Sequence, residues 1–188
     1  MILVYTIIQL YNYTLEPTAS LFYFKRANTT PLHAQFDYYF NDITIVNDTY
    51  KDQKGLTVTA EIRNLDWSLI WTKTVSDVAV KSDLSKRGIF KLLSKDSSEF
   101  DDVYFIDLTL RDSKGTVIDK EIYWRAKNDP HYGAQGSFKA MNNMGKVKLN
   151  LSSTLKTING KSKVTLTLEN PTSKLAFFTR LKIYSDKS

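Results

Sequence analysis

The chain contains no cysteine. That excludes disulfide staples and thiol chemistry but leaves the compartment open, because a large enough core needs no staples. It has two histidines, His33 and His131, far apart and without a His-x-x-x-His spacing, so no zinc site is expected. There is no GxSxG elbow and no P-loop, and the glycines of the NDPHYGAQG stretch lack the preceding strand and following helix of a phosphate cradle. Long apolar runs are missing too. MILVYTIIQL is too short to span a bilayer and lacks the basic region and cleavage pattern of a signal peptide. Nor does any helical pattern of 10–15 residues separate the strand-like runs, which disfavours a parallel sheet with crossover helices. The excess of 26 basic over 20 acidic residues reads as scattered, without a recognisable nucleic-acid module. Neither nucleic acid nor membrane is therefore an expected partner, and no cofactor is expected.

What is present is alternation. In Asp101–Arg125, Tyr104, Ile106, Leu108 and Leu110 recur with a period of two, and Asp107, Thr109 and Arg111 stand between them. Asp112-Ser113-Lys114-Gly115 supplies a turn, and Val117 to Trp124 returns with Ile118, Ile122 and Trp124 on one side. This predicts a β-hairpin with one dry and one wet face. A second clear strand starts after Lys54-Gly55, with Leu56, Val58, Ala60 and Ile62 inward. Shorter runs follow the same logic: Ala34 with Phe36, Ile43 to Val46, Ile70 to Val75, Val78 to Val80, and Ile89 to Leu92. Short strands at this spacing, separated by Asp/Asn/Gly/Lys turns, predict an all-β fold of immunoglobulin-like β-sandwich type over residues 32–127.

Before it, Leu15-Glu16-Pro17-Thr18-Ala19 reads as a helix start with Pro17 in the first turn, and the helix stops before Pro31. Leu3, Ile7 and Leu10 carry an apolar stripe upstream, and the apolar face of Ile7, Leu10, Leu21 and Phe24 asks for a partner. Residues 128–145 read as a linker. Residues 146–188 read as an incomplete second sandwich, with strands at Val147–Leu151, Val164–Leu168 and Phe177–Ile183 and a tight turn at Asn159-Gly160.

Candidate sites are few. The acids Glu61, Asp66, Glu99, Asp101, Asp102, Asp107, Glu121 and Glu169 occupy wet strand positions or turns, and none forms a pair singled out as the two carboxyls of glycoside hydrolysis. No catalytic, cofactor-binding or metal-binding residue is assigned. Trp71 or Trp124 suits the core of the sandwich, whereas Trp67, in the Asp66–Ser68 turn, is a candidate for stacking on a sugar ring. Asn12, Asn28, Asn47 and Asn150 begin Asn-x-Ser/Thr triplets, candidate N-glycosylation sites in a secreted chain.

The wording of the chain carries more than its periodicities. Gln9–Phe36 joins a Glu-Pro-x-small helix start, a lysine-bearing middle and the exit Pro31-Leu32-His33-Ala34-Gln35. Val46-Asn47-Asp48-Thr49, Gly55-Leu56-Thr57-Val58, Asn64-Leu65-Asp66, Tyr104-Phe105 and Ile122-Tyr123-Trp124 follow. Val147-Lys148-Leu149, Glu169-Asn170-Pro171-Thr172 and Ala176-Phe177-Phe178-Thr179-Arg180-Leu181 come last. Together these resemble the C-terminal part of glycoside hydrolase family 2, in its β-mannosidase, mannosylglycoprotein endo-β-mannosidase and exo-β-D-glucosaminidase branch. The resemblance implies a five-domain parent: two sandwich domains, a (β/α)8 barrel and two further sandwiches. Its barrel hydrolyses β-mannosides or β-D-glucosaminides with retention, through an acid/base and a nucleophilic glutamate, and without a cofactor. Both glutamates lie upstream of the matched region, so no residue here corresponds to either. Residues 1–31 then read as a remnant of the last barrel helix, as a truncated reading frame would leave it. The chain is expected to brace a barrel and to be inactive alone, with the barrel as its partner and a secreted, vacuolar or lysosomal parent. A free-standing carbohydrate-binding or adhesion module is the alternative.

Overall fold

The computed structural model describes residues 10–92, 98–127 and 138–182. Leu3 and Ile7, the NDPHYGAQG loop with His131, most of the expected linker, and Ile183 with the residues after it lie outside the described residues. The elements are α1 (Ala19–Thr29), β1 (Leu32–Asp37), β2 (Asp42–Asn47), β3 (Gln53–Arg63), β4 (Leu69–Val80), β5 (Leu84–Lys86), β6 (Val103–Arg111), β7 (Val117–Ala126), a 3-10 turn at Lys139–Asn143, β8 (Asn150–Ile158) and β9 (Lys161–Glu169). They form three sheets, with strand orders β1-β2-β5, β4-β3-β6-β7 and β8-β9. The fold is all-β and immunoglobulin-like, with one short helix. The chain clusters into two compact units, Met1–Glu61 with Thr72–Ser94 and Ile106–Tyr123, and Ile62–Trp71 with Lys95–Phe105 and Trp124–Ser188.

The first unit is a sandwich built from period-two burial. Ala34, Phe36, Ile43 and Ile45 come from the first sheet, and Leu56, Val58, Ala60, Val80, Leu108 and Leu110 from the second; all are buried. The alternation in β3 is complete: Leu56, Val58, Ala60 and Ile62 are at most 1% exposed, and their neighbours are not buried. A pleated strand packed on one face must show this pattern. Asn47, at the end of β2, is also fully buried. Its Nδ2 donates to the carbonyls of Lys51 and Lys81, both at 2.9 Å, and its Oδ1 accepts from the backbone N–H and hydroxyl of Thr49. One amide thereby ties the loop after β2 to the end of β4.

Several expectations need correction. Pro17 stands one residue before the N-cap Thr18, outside the helix, where its fixed φ suits the extended entry. Ile70–Val75 and Val78–Val80 belong to the single strand β4, which absorbs an irregularity at Asp77 through a positive φ of 56°. Ile89–Leu92 is not a ladder strand. It lies along β2 through the bonds of Ile43 N–H to Phe90 O and Ile89 N–H to Ile43 O, with a single bridge from Asp42 to Lys91. The hairpin of β6 and β7 does not have a wholly wet face: Val103 to Leu108 are all buried, Asp107 included, and so are Asp119 and Arg125 of β7. Both faces of β6 are therefore covered, which alternation alone does not reveal. Asp107 is matched by Lys120 at 3.5 Å. Phe177–Leu181 forms turn and irregular structure rather than a strand, and ladder pairing of the earlier run begins at Asn150.

Turn chemistry follows the sequence. Asp112 Oδ1 accepts the N–H groups of Lys114 and Thr116, which holds the β6–β7 turn, and Gly115 takes φ 82°. Asn159 and Gly160 both have positive φ, as a two-residue type I′ hairpin requires.

Val58→Asp places an unpaired charge at a site with no exposure. Its expected cost is about 3–5 kcal/mol in denaturant unfolding. A change near zero would mean that Val58 faces solvent and that the register of β3 is wrong.

Candidate functional site

The most developed polar arrangement in the first unit begins at the end of α1. Arg26 lies in the last turn, where a cation suits the helix dipole. Its Nε pairs with Glu121 Oε1 and its Nη2 lies 3.5 Å from Asp119 Oδ1. Asp119 and Glu121 are two residues apart on β7, so strand periodicity puts both carboxyls on one side. The Asp119 side chain is only 2% exposed, and its Oδ2 accepts the backbone N–H of Ala34 at 3.1 Å. Because β1 is an edge of its sheet, that N–H points away from β2 and would otherwise lack a ladder partner. One carboxylate thus joins a helix end, the edge of β1 and β7. Nearby, His33 Nδ1 lies 2.8 Å from the Thr30 carbonyl, so this nitrogen carries the hydrogen when the bond forms. Phe36, Tyr38 and Tyr123 form a tilted aromatic trio with centroids 4.9–6.1 Å apart.

Electrostatics follow from burial. Desolvation holds the Glu121 carboxyl above the usual glutamate range, against the pull of Arg26. Burial likewise pushes the phenols of Tyr123 and Tyr23 upward, with Glu121 adding to both. Asp119 and Glu121 are the acids that the fold brings together, but Arg26 bridges them and Asp119 is committed to a backbone amide. Glycoside hydrolysis asks for two carboxyls opposed across a pocket with room for a sugar, and this joint is instead a packed structural contact. Neither Asp119 nor Arg26 was legible as a site residue. Asp119 reads as one more polar position in an alternating strand, and its burial comes from β1 and α1, which are remote in sequence.

The second unit holds a chain of aromatic rings. Phe105 meets Trp67 at 5.8 Å and Phe177 at 5.1 Å, and Trp124 meets Phe177 and Phe178, both at 5.2 Å. Trp124 and Trp71 are half-buried rather than enclosed. Trp67 is also half-buried; it takes φ 73° in its turn and carries the Arg63 guanidinium over its ring at 5.1 Å. A cavity of about 540 Å³ is lined by Met141, Val147, Leu149, Leu175, Phe177 and Phe178 among others, with no acid or histidine among its described lining residues. Its walls are mixed, with Asn142, Lys146 and Thr179 beside the apolar side chains.

The four Asn-x-Ser/Thr positions differ in setting. Asn12 and Asn28 are exposed; Asn12 Oδ1 accepts from Thr14 and Glu16, and Asn28 Nδ2 donates to Phe24 O. Asn150 is exposed at the start of β8. Asn47 is the buried cross-link described above, with its amide nitrogen engaged.

Comparison with known proteins gives a consistent answer. Residues 130–188 match the family described as the exo-beta-D-glucosaminidase Ig-fold domain. Over 191 residues the chain is 24% identical to an exo-beta-D-glucosaminidase of Arthroderma benhamiae, which covers 95% of this chain and 21% of that protein. It is 27% identical to the enzyme of the same name from Streptomyces avermitilis, over 86% of this chain and 19% of that protein. The chain therefore spans about a fifth of the length of these relatives. Among solved structures, the exo-chitosanase CsxA of Amycolatopsis orientalis, in complex with PNP-beta-D-glucosamine, superposes over 88% of this chain and 21% of its own with a TM-score of 0.72 and 21% identity. That match shows the fold.

The raised Glu121 carboxyl has a checkable consequence. Its folded-state value lies above the unfolded one, so its contribution to stability is complete below about pH 4 and is lost as pH rises through the folded value. Thermal unfolding of Glu121→Gln beside the parent should show the difference moving in favour of the variant between pH 4 and pH 7. Movement in favour of the parent would contradict the burial argument.

Proposed function

We propose that the chain, whose residues 130–188 match the immunoglobulin-fold domain of exo-β-D-glucosaminidases, braces the catalytic (β/α)8 barrel of a family 2 β-glycosidase. It is an accessory, non-catalytic β-sandwich region of such an enzyme. The parent reaction in this reading is retaining hydrolysis of a terminal β-D-glucosaminide, with β-mannoside as the neighbouring alternative. The two glutamates that perform it belong to the barrel and not to this chain, and no cofactor enters.

The observation that carries the reading is the state of α1. The helix is fixed to the sandwich by Arg26, yet it buries none of its residues, and Phe22 and Phe24 are each 58% exposed. Tyr13 and Leu15 just before it are 100% and 80% exposed. A helix held by its charged end with its aromatic residues open is the form of a docking element whose counterpart is another folded body. A barrel whose outer surface is a ring of helices offers such a counterpart. A free-standing sugar-binding module would instead need an open aromatic platform, and at Trp67 one ring face already carries Arg63.

Two measurements test this. The isolated chain should release no p-nitrophenol from the aryl β-glucosaminide or the aryl β-mannoside; turnover abolished by altering one of its own carboxylates would overturn the reading. The double variant Phe22→Ser, Phe24→Ser should lose most of the fluorescence of a bound hydrophobic dye while its unfolding free energy stays within about 0.5 kcal/mol of the parent. A loss of several kcal/mol would mean that these rings are packed within the chain and not reserved for a partner.

A further inference from the structure

Charge is distributed unevenly once the fold is in view. Residues 138–182 contain eight lysines and Arg180 against one acid, Glu169. That excess is larger than the net +6 of the whole chain, so the rest is net acidic. The sequence alone made these lysines look scattered; the register of β8 and β9 gathers three of them. Lys156 stands directly opposite Lys163, and Lys161 lies two residues along the same strand on the same face. Opposed side chains have Cβ atoms about 5 Å apart, and like charges in that position destabilise a ribbon. Thr154 and Thr165 form the next pair on this face, and Ser152 and Thr167 the pair after it. All of these residues are exposed. Glu169 pairs with Asn150 at the far end of the ribbon, six residue steps from Lys163. At about 3.4 Å per step that is roughly 20 Å, beyond the screening length of about 8 Å at physiological salt, so Glu169 does not neutralise the cluster.

We propose that this face of the β8–β9 ribbon, with Lys156, Lys161 and Lys163 at one end and the threonine and serine pairs beside them, is a docking face for an anionic polysaccharide. The lysines supply hydrated point charges suited to exposed carboxylates. The paired rows of hydroxyls match sugar hydroxyls along an extended chain, and a bound anion relieves the repulsion between Lys156 and Lys163. The face has no arginine for base edges and no aromatic ring for base stacking, which separates it from a nucleic-acid surface. Of the apolar residues of the ribbon, Leu151, Leu155, Val164, Leu166 and Leu168 project from its other side and Ile158, opposite Lys161, from the lysine face, so a lipid surface taken up by the larger apolar set would not meet the lysines directly. A polymer of protonated glucosamine would be repelled. The ribbon would thus attach the protein to an acidic matrix and would not hold the chain being cleaved, a role independent of the proposed parent reaction.

Titration of the full 188-residue chain with polygalacturonate at 50 mM salt tests this. The parent should bind, with affinity falling steeply as salt rises, and Lys156→Gln, Lys161→Gln, Lys163→Gln combined should weaken binding at least tenfold without lowering the melting temperature. Neutral dextran and glucosamine oligomers should not bind. Absence of polygalacturonate binding, equal binding by the triple variant, or tighter binding to duplex DNA or phosphatidylserine vesicles would each overturn the proposal. Should the triple variant unfold, Lys139→Gln, Lys146→Gln and Lys148→Gln combined serve as the control of equal charge change elsewhere. Its retention of full affinity in an otherwise folded chain supports the cluster, and loss as large as that expected for the cluster overturns it.

Discussion

The first unit depends on one buried carboxylate. Asp119 accepts the outward N–H of Ala34 on the edge strand β1 and faces the guanidinium of Arg26 at the end of α1. An edge strand leaves a row of donors and acceptors unsatisfied, and a buried donor without a partner costs on the order of 1–3 kcal/mol. A buried carboxylate without a partner costs more. Each group solves the problem of the other. The Coulombic part of the Arg26 contact is modest, because that guanidinium is 45% exposed and therefore screened. What the contact contributes is position: it decides where the helix end rests.

That constraint connects the fold to the proposed role. No residue of the helix is fully buried, and its Leu21 is half-buried, so apolar packing against the described residues holds it only weakly. Its attachment is polar and located at one end, which leaves Phe22 and Phe24 open to a further body. The same economy appears at Asn47, whose single amide replaces several backbone contacts between the loop after β2 and the end of β4. Such polar cross-links define one arrangement among the many that apolar packing tolerates.

The parts that sequence made legible are those governed by local period. Leu56, Val58, Ala60 and Ile62 alternate because one face of β3 is dry, and Asn159-Gly160 turns because both residues accept positive φ. What escaped depends on contacts between distant segments. Asp107 and Asp119 read as wet positions, yet they are buried by partners far off in sequence. The long strand β4 reads as two strands because Asp77 interrupts its alternation. Phe177 and Phe178 read as a strand for their apolar character, but they serve as ring partners of Trp124 in an irregular segment. The family resemblance depended on word-like runs such as Glu169-Asn170-Pro171-Thr172, which turn chemistry fixes. The joint at Asp119 had no such signature.

Amide hydrogen exchange at Ala34, followed by NMR in the parent chain and in Asp119→Ala, which leaves no side-chain acceptor, tests the central claim most directly. If Asp119 is the acceptor that protects the edge of β1, the Ala34 amide should be among the slowly exchanging amides of the parent and should exchange at least tenfold faster in the variant, while the amides of Ile43 and Ile45 on β2 change little. Equal protection of Ala34 in both chains, or a uniform acceleration across β1 and β2, would contradict it.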